Sequence, residues 1–251
     1  MLDVNVRGTE LVLTAAHEQG LDPIVHVSSA VALLPPRDAA VLTNESPLGS
    51  PPGAYARSKV AAERIAREMQ AQGAPVVITS PGTVVGPDDP GLSDSMRLVR
   101  DVVRGQIPLV PPGSVPFVDV RDVAAVHAAV LQAGRGPRRY LALAGNLSFG
   151  DIHATARRLT GRRLPAVRVP TPVALTAGRA ADVAQRILPV RLPISFEGPW
   201  VLSTDAKADA SATERELGVK FRPATEALAE TIRWLAAAGR ISRRQAGDLA
   251  A

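Results

Sequence analysis

Tyr55 and Lys59 stand four residues apart in the stretch YARSK, a spacing that puts both side chains on one face of a helix. A phenol titrates near about 10 in water, so a tyrosine that exchanges protons at neutral pH needs help. An ammonium group close by stabilises the phenolate and lowers its pKa, and a cationic nicotinamide ring adds to that effect. A serine hydroxyl within reach can hold a carbonyl or alcohol oxygen in line with the phenol. Such a group of residues moves a proton on and off a carbonyl oxygen. The accompanying hydride must come from a bound carrier, because no protein side chain supplies one. Lysine is scarce in this chain, three against 26 arginines, and its flexible point charge does not replace a guanidinium fork. The bland alternative is an aromatic residue at a helix start followed by a solvated lysine.

The elements that must position these groups follow from the hydrophobic pattern. Residues 3–19 read as an amphipathic helix with Val6, Leu11, Leu13 and Ala15 available to one broad face, stopped by Gly20. PIVHVSS, residues 23–29, reads as a short buried strand ending in the hydroxyls of Ser28 and Ser29. A loop rich in Pro, Ser and Gly leads to a long helix over 54–72, closed by Gly73, and PVVITSPG (75–82) is a second buried strand. TVVGPDDPG, which follows, reads as a turn-rich loop. Strands alternating with helices imply βαβ units and a parallel sheet, whose ligands sit beyond the carboxyl ends of the strands. Ser28 and Ser29 lie at one such end, Pro81 and Gly82 at the next, and Tyr55 falls in the first turn of the intervening helix. This order brings Ser29, Tyr55 and Lys59 towards one crevice.

Beyond residue 90 the pattern predicts a helix over 92–104, a strand over 115–120, and a helix over 121–133. A strand ending near 145, a helix over 149–160 and a last helix in ATEALAETIRWLAAAG follow. Residues 1–90 with returning segments around 115–145 form the expected sheet core. Divided by chain position, 1–145 is the expected sheet-bearing part. Residues 146–251 are the expected substrate-binding region, with the C-terminal helix packing back.

With 251 residues, 46% hydrophobic and 21% charged, the composition is that of a globular protein able to bury a core. The absence of cysteine excludes disulfides, thiolate metal sites and thiol catalysis; no metal site is expected. No apolar run approaches the length of a membrane span, and the first residues lack the layout of a secretory signal. A cytoplasmic location is the expectation. The arginines behind the net charge of +5 are mostly scattered, and the 3% aromatic content offers few stacking platforms, so nucleic acid is not expected; an anionic cofactor or substrate also explains the mild excess.

The ordered motifs NVRGT, VHVSSA, YARSK, PGTVVGPDD and FVDVRDVAAVH, from Asn5 to about His127, resemble the extended short-chain dehydrogenase/reductases, the NAD-dependent epimerase/dehydratase family. The similarity is greatest to the dihydroflavonol-reductase and 3β-hydroxysteroid-dehydrogenase-like branch. The resemblance implies an α/β fold: a partial Rossmann-like, doubly wound parallel sheet with a smaller C-terminal substrate-side region. It implies that Ser29 orients the substrate oxygen, Tyr55 is the acid/base, and Lys59 lowers its pKa and holds the nicotinamide ribose. Ser28, Pro81, Gly82, Thr83 and Val84 would face NAD or NADP. Asn5 matches a residue of a water-linked proton relay, or else a helix-bend residue. Asp119 and Asp122 match a structural segment. AVALLPP stands where sugar-nucleotide members carry a Val-Tyr-Gly stretch, and PGTVVGP lacks a tyrosine common there. Both departures lean towards a hydrophobic carbonyl or alcohol substrate; a nucleotide-sugar epimerase or dehydratase, and a non-catalytic binding or scaffold protein, are the alternatives. Val173, Leu175, Val183, Ile187 and Leu188 suit either an apolar pocket or core packing. A homodimer through the helices 3–19 and 54–72 is also implied.

The family's Gly-x-x-Gly-x-x-Gly loop, which lets a helix N-terminus approach the pyrophosphate, occurs nowhere in the 251 residues. The expectation is that the nucleotide-anchoring strands and loop are missing. An upstream start, a truncated gene or a non-catalytic fragment would each produce that pattern. Weak or absent binding of NAD(H) and NADP(H) is expected.

Overall fold

A computed structural model of the chain describes residues 2–35, 41–187 and 195–250. In chain order the elements are α1 (Leu2–Glu18), β1 (Ile24–Val27), a 3-10 turn (Ala30–Leu33), α2 (Ala54–Ala71), β2 (Val76–Pro81) and β3 (Thr83–Val85). Next come α3 (Asp94–Arg104), β4 (Leu109–Val110), β5 (Ser114–Asp119), α4 (Val120–Ala129), β6 (Arg138–Ala142) and β7 (Gly145–Ser148). The chain continues through α5 (Phe149–Thr160), β8 (Val167–Arg168), α6 (Thr171–Ile187), α7 (Glu197–Thr204), α8 (Ser211–Leu217), α9 (Ala224–Ala237) and α10 (Arg243–Ala246). It belongs to two compact units, each assembled from separated stretches.

The first unit holds residues 1–82, 121–143 and 206–221. Its sheet runs β1-β2-β6, entirely parallel, with Ile24 opposite Val76 and Pro81 opposite Ala142. The central strand β2 is buried along its whole length, as a strand covered on both faces must be. Leu13, Ile24, Ala66, Ala74, Val76 and Ile78 make the apolar contact between α1, α2 and the sheet. Of the face expected on α1, only Leu13 is buried; Val6 is half-covered, Ala15 is exposed, and Leu11 is 62% exposed. The apolar stripe of α1 is therefore wider than the surface that its own unit covers. Gly20 ends α1 at φ 69°, a left-handed conformation that favours glycine.

The second unit holds residues 83–120, 144–205 and 222–251. β3 pairs parallel with β5, and β5 pairs antiparallel with β7. A single cut at residue 145 is thus not how the chain divides. β3, β4, α3 and β5 join the second unit, because β3 pairs with β5, whereas β6 pairs with β2. Residues 206–221 join the first, where the Ala208 bridge to Leu42 ties them down. Thr83–Val85, expected as loop, is a strand; its Thr-Val-Val sequence pairs with Phe117–Asp119 before the turn residues begin. The core packs Val99, Phe117, Leu147, Ile152, Leu228 and Leu235. Among the apolar residues suggested for a substrate pocket, Val173, Val183 and Ile187 lie on α6 with exposed side chains. Leu175 is half-covered on the same helix, and Leu188 falls outside the described residues.

The arginines have a structural use that their scatter concealed. Arg104 donates to the Arg240 carbonyl, Arg162 to those of Val103 and Gln245, and Arg157 to that of Leu164. These side chains satisfy carbonyls that helix ends and loops leave unpaired. Among the described residues no helix is long and apolar enough to cross a membrane, and no cluster of His, Asp and Glu could hold a metal.

Candidate active site

The site lies in the first unit, where α1, the end of β1 and the first turns of α2 meet. α2 starts without a side-chain cap at Gly53, and Arg57 instead grips the Pro52 carbonyl at its entry. Tyr55 stands in the first turn with 43% of its surface exposed, so the phenol is accessible. Lys59, one turn on, is half-buried, and its Nζ lies 3.4 Å from the Val27 carbonyl at the end of β1. Burial pushes the Lys59 ammonium below its ordinary pKa. An ammonium has three donors, and the Val27 carbonyl takes one at the long limit of a hydrogen bond.

Ser28 follows directly, with its amide bonded to the Thr79 carbonyl at 2.8 Å, which docks the strand end on β2. Its hydroxyl is buried and donates to the Glu63 carboxylate. Ser29 is the N-cap of the 3-10 turn, in extended conformation, and its oxygen accepts from the Val31 amide. Asn5 on α1 donates to the Ser58 hydroxyl at 2.9 Å, and Ser58 donates to the Tyr55 carbonyl at 2.6 Å. Asn5 therefore reaches the backbone of the helix turn that carries Tyr55. Pro81 closes β2, and Gly82 continues it through a bond from its amide to the Ala142 carbonyl. Thr83 and Val84 open β3 in the second unit. Asn5, Ser28, Ser29, Tyr55 and Lys59 are thus gathered on neighbouring elements, with Pro81 and Gly82 at the end of the adjacent strand.

Three residues near the site escaped the sequence pattern. His26 is buried on β1 and held down to about 4, first by burial and then by the Lys59 charge. At neutral pH it is therefore uncharged and adds no competing cation beside Lys59. Glu63 is fully buried, and Arg67 donates to it through Nε at 2.9 Å and Nη2 at 2.6 Å. The available signal was a line of four-residue steps along α2: Tyr55, Lys59, Glu63, Arg67. A carboxylate followed four residues later by arginine is also an ordinary surface pair, which is why burial could not be read from it.

The NAD dependent epimerase/dehydratase family model matches residues 1–142, more than half of the chain. Sterol demethylase protein B of Methylococcus capsulatus is 30% identical over 96% of this chain and 74% of its own length. A putative dihydroflavonol 4-reductase of Synechocystis is 30% identical over 92% of this chain and 69% of its own. Among solved structures, a nucleoside-diphosphate-sugar epimerase from Pseudomonas aeruginosa superposes with a TM-score of 0.74 at 23% identity, covering 95% of this chain and 76% of that one. The chain belongs to the NAD dependent epimerase/dehydratase family, a family of dehydrogenases, reductases and epimerases.

Proposed function

We propose that this chain carries the proton-transfer end of an NAD(P)-dependent oxidoreductase acting on a hydrophobic carbonyl or alcohol. The observation that supports it most is Lys59, a half-buried ammonium with a lowered pKa one helical turn from an accessible phenol. Tyr55 donates its proton to the carbonyl oxygen in reduction and takes it back in oxidation. Lys59 favours the phenolate and offers its remaining donors to ribose hydroxyls. Ser29 orients the substrate oxygen, and Asn5 reaches the Tyr55 turn through Ser58, where it supports either proton relay or helix geometry. Pro81 and Gly82 meet the nicotinamide end. The dinucleotide, when bound, supplies the hydride.

The residues fit the nicotinamide end better than the pyrophosphate end. A half-buried lysine beside an exposed tyrosine at a strand terminus suits a ribose, but no glycine triplet is present to admit diphosphate to a helix N-terminus. Weak binding to these 251 residues is the expected outcome. Titration of the protein with NADH and NADPH should give millimolar dissociation constants, weakened further by Lys59→Met. Micromolar binding would contradict the weight placed on the glycine loop, and binding indifferent to Lys59→Met would contradict its ribose role. The names of the sterol and dihydroflavonol relatives support an apolar, ring-containing substrate.

The exposed face of α1 favours a second role as an association surface. A shallow groove of about 420 Å³ is lined by Arg7, Glu10, Leu11, Thr14, Ala15 and Glu18. Set antiparallel against a second copy, the row is self-complementary. Arg7 meets Glu18 of the second copy, Glu10 meets its Ala15, and Leu11 meets its Thr14, as a two-fold contact requires. Sedimentation should show a dimer that Arg7→Glu dissociates. A monomeric wild type at micromolar concentration would rule this contact out.

A further inference from the structure

We infer that Glu63 is a positioning residue for the Tyr55–Lys59 site, acting through the Ser28 hydroxyl that it holds. The inference rests on the acid/base role proposed for Tyr55. Glu63 has no exposed surface, yet it is a carboxylate that bonds both the end of β1 and Arg67, which in turn reaches a third segment. The Ser28 hydroxyl reaches it from the end of β1. Arg67, on the same helix, makes the fork to Glu63 and also donates to the Ser46 carbonyl at 3.0 Å, bringing in the loop between the 3-10 turn and α2.

Stability alone does not account for a charge in that position. A well-packed apolar side chain of similar size is often as stabilising as a buried ion pair. A carboxylate offers what an apolar side chain cannot, a fixed acceptor of defined direction for the Ser28 hydroxyl. With Lys59 against the Val27 carbonyl and Glu63 against the Ser28 hydroxyl, successive turns of α2 grip successive residues of the strand end. Ser29 is the next residue in the chain. The helix that presents the phenol and the turn that presents the serine are thereby held together by Lys59, which also faces the site, and by the fully buried Glu63. This also reassigns Ser28, whose hydroxyl is directed at Glu63 rather than at a ligand.

The chain contains two tyrosines, Tyr55 and Tyr140. Tyr140 is buried on β6, and burial followed by the Glu216 carboxylate raises its pKa above that of an ordinary phenol. Among the described residues, the charged and titratable groups close to the strand end include Lys59, Glu63 and Arg67 on α2, His26 on β1, and His127 on α4, which bonds the Thr79 hydroxyl beside Val27 and is held below its ordinary pKa by burial. Protein carrying 13Cζ-tyrosine is titrated by NMR as wild type, Ser28→Ala, Glu63→Gln and Lys59→Met. Ser28→Ala keeps the Glu63–Arg67 pair, so it carries the test if Glu63→Gln fails to fold.

Positioning predicts that Ser28→Ala and Glu63→Gln both raise the Tyr55 midpoint by roughly half a pH unit, about a threefold change in proton affinity, with Tyr140 unmoved. A purely electrostatic effect has the opposite sign. Removing a negative charge would lower the Tyr55 midpoint in Glu63→Gln and leave Ser28→Ala unchanged. That result, or an unmoved Tyr55 midpoint in both folded variants, overturns the positioning role. Lys59→Met separates the two levels. If it raises the Tyr55 midpoint while the other two variants do not, only the positioning role fails; if it leaves Tyr55 unmoved, the acid/base role fails and takes the positioning role with it.

Discussion

Substituting His26 by leucine should flatten the acid side of the stability curve. His26 is buried on β1 with its pKa held at about 4, against 6.5 for an ordinary histidine. Burial comes first among the causes and the Lys59 charge second. The folded-state value is depressed, so between pH 6.5 and about 4 the unfolded chain binds a proton that the folded chain refuses. Stability attributable to this group is present above the unfolded value and is lost as pH falls through that window, at about 1.4 kcal/mol per pH unit. The full loss is on the order of 3 kcal/mol. His127 and His153 have lowered values as well, so the wild-type curve contains their contributions too. Urea unfolding of wild type and His26→Leu across pH 4 to 7 isolates His26, because the other two contribute equally to both proteins. The difference between the curves should change by about 2–3 kcal/mol across that range. A constant difference would refute the account of His26 as a neutral group enclosed beside a lysine.

Other perturbations test separate parts of the structure. Glu63→Ala leaves Arg67 and the Ser28 hydroxyl without their shared acceptor and should cost about 3–5 kcal/mol in chemical denaturation. Gly113 sits at φ 95°, and a Cβ there would lie 2.0 Å from the Leu202 carbonyl oxygen. Gly113→Ala should therefore destabilise the second unit by about 2–4 kcal/mol, read as a lower urea midpoint. Asn5→Ala removes the bond to Ser58 and leaves no buried charge behind, so unfolding should show a loss of only about 1 kcal/mol.

The parts that local chemistry dictates were legible in the chain. α2 and β2 run within a residue of their expected limits, because Gly53 and Gly73 bracket the helix and the β-branched run Val76–Thr79 inside PVVITSPG favours a strand. β7, Gly145–Ser148, carries no such signal: Gly-Asn-Leu-Ser has poor strand propensity, and its pairing with β5 is imposed from outside the segment. Thr83–Val85 was obscured by Gly86 and Pro87, which end the strand but do not prevent it. On α1 the periodicity identified the helix but could not say that Leu11 and Val12 are exposed, since a pattern marks an apolar face without naming what covers it. Tyr55, Lys59 and the strand-end serines were visible as chemistry. What the Ser28 hydroxyl does was not, because its acceptor lies 35 residues away on another element.

The central claim is that Tyr55 exchanges the proton while a nicotinamide carries the hydride. Hydride transfer from NADH or NADPH at millimolar concentration to aromatic and sterol-like ketones, followed at 340 nm for wild type and Tyr55→Phe, addresses it directly. Wild-type turnover should fall at least about 100-fold in Tyr55→Phe, with the folded state intact, as expected for loss of a general acid. Undiminished turnover in Tyr55→Phe would contradict the account.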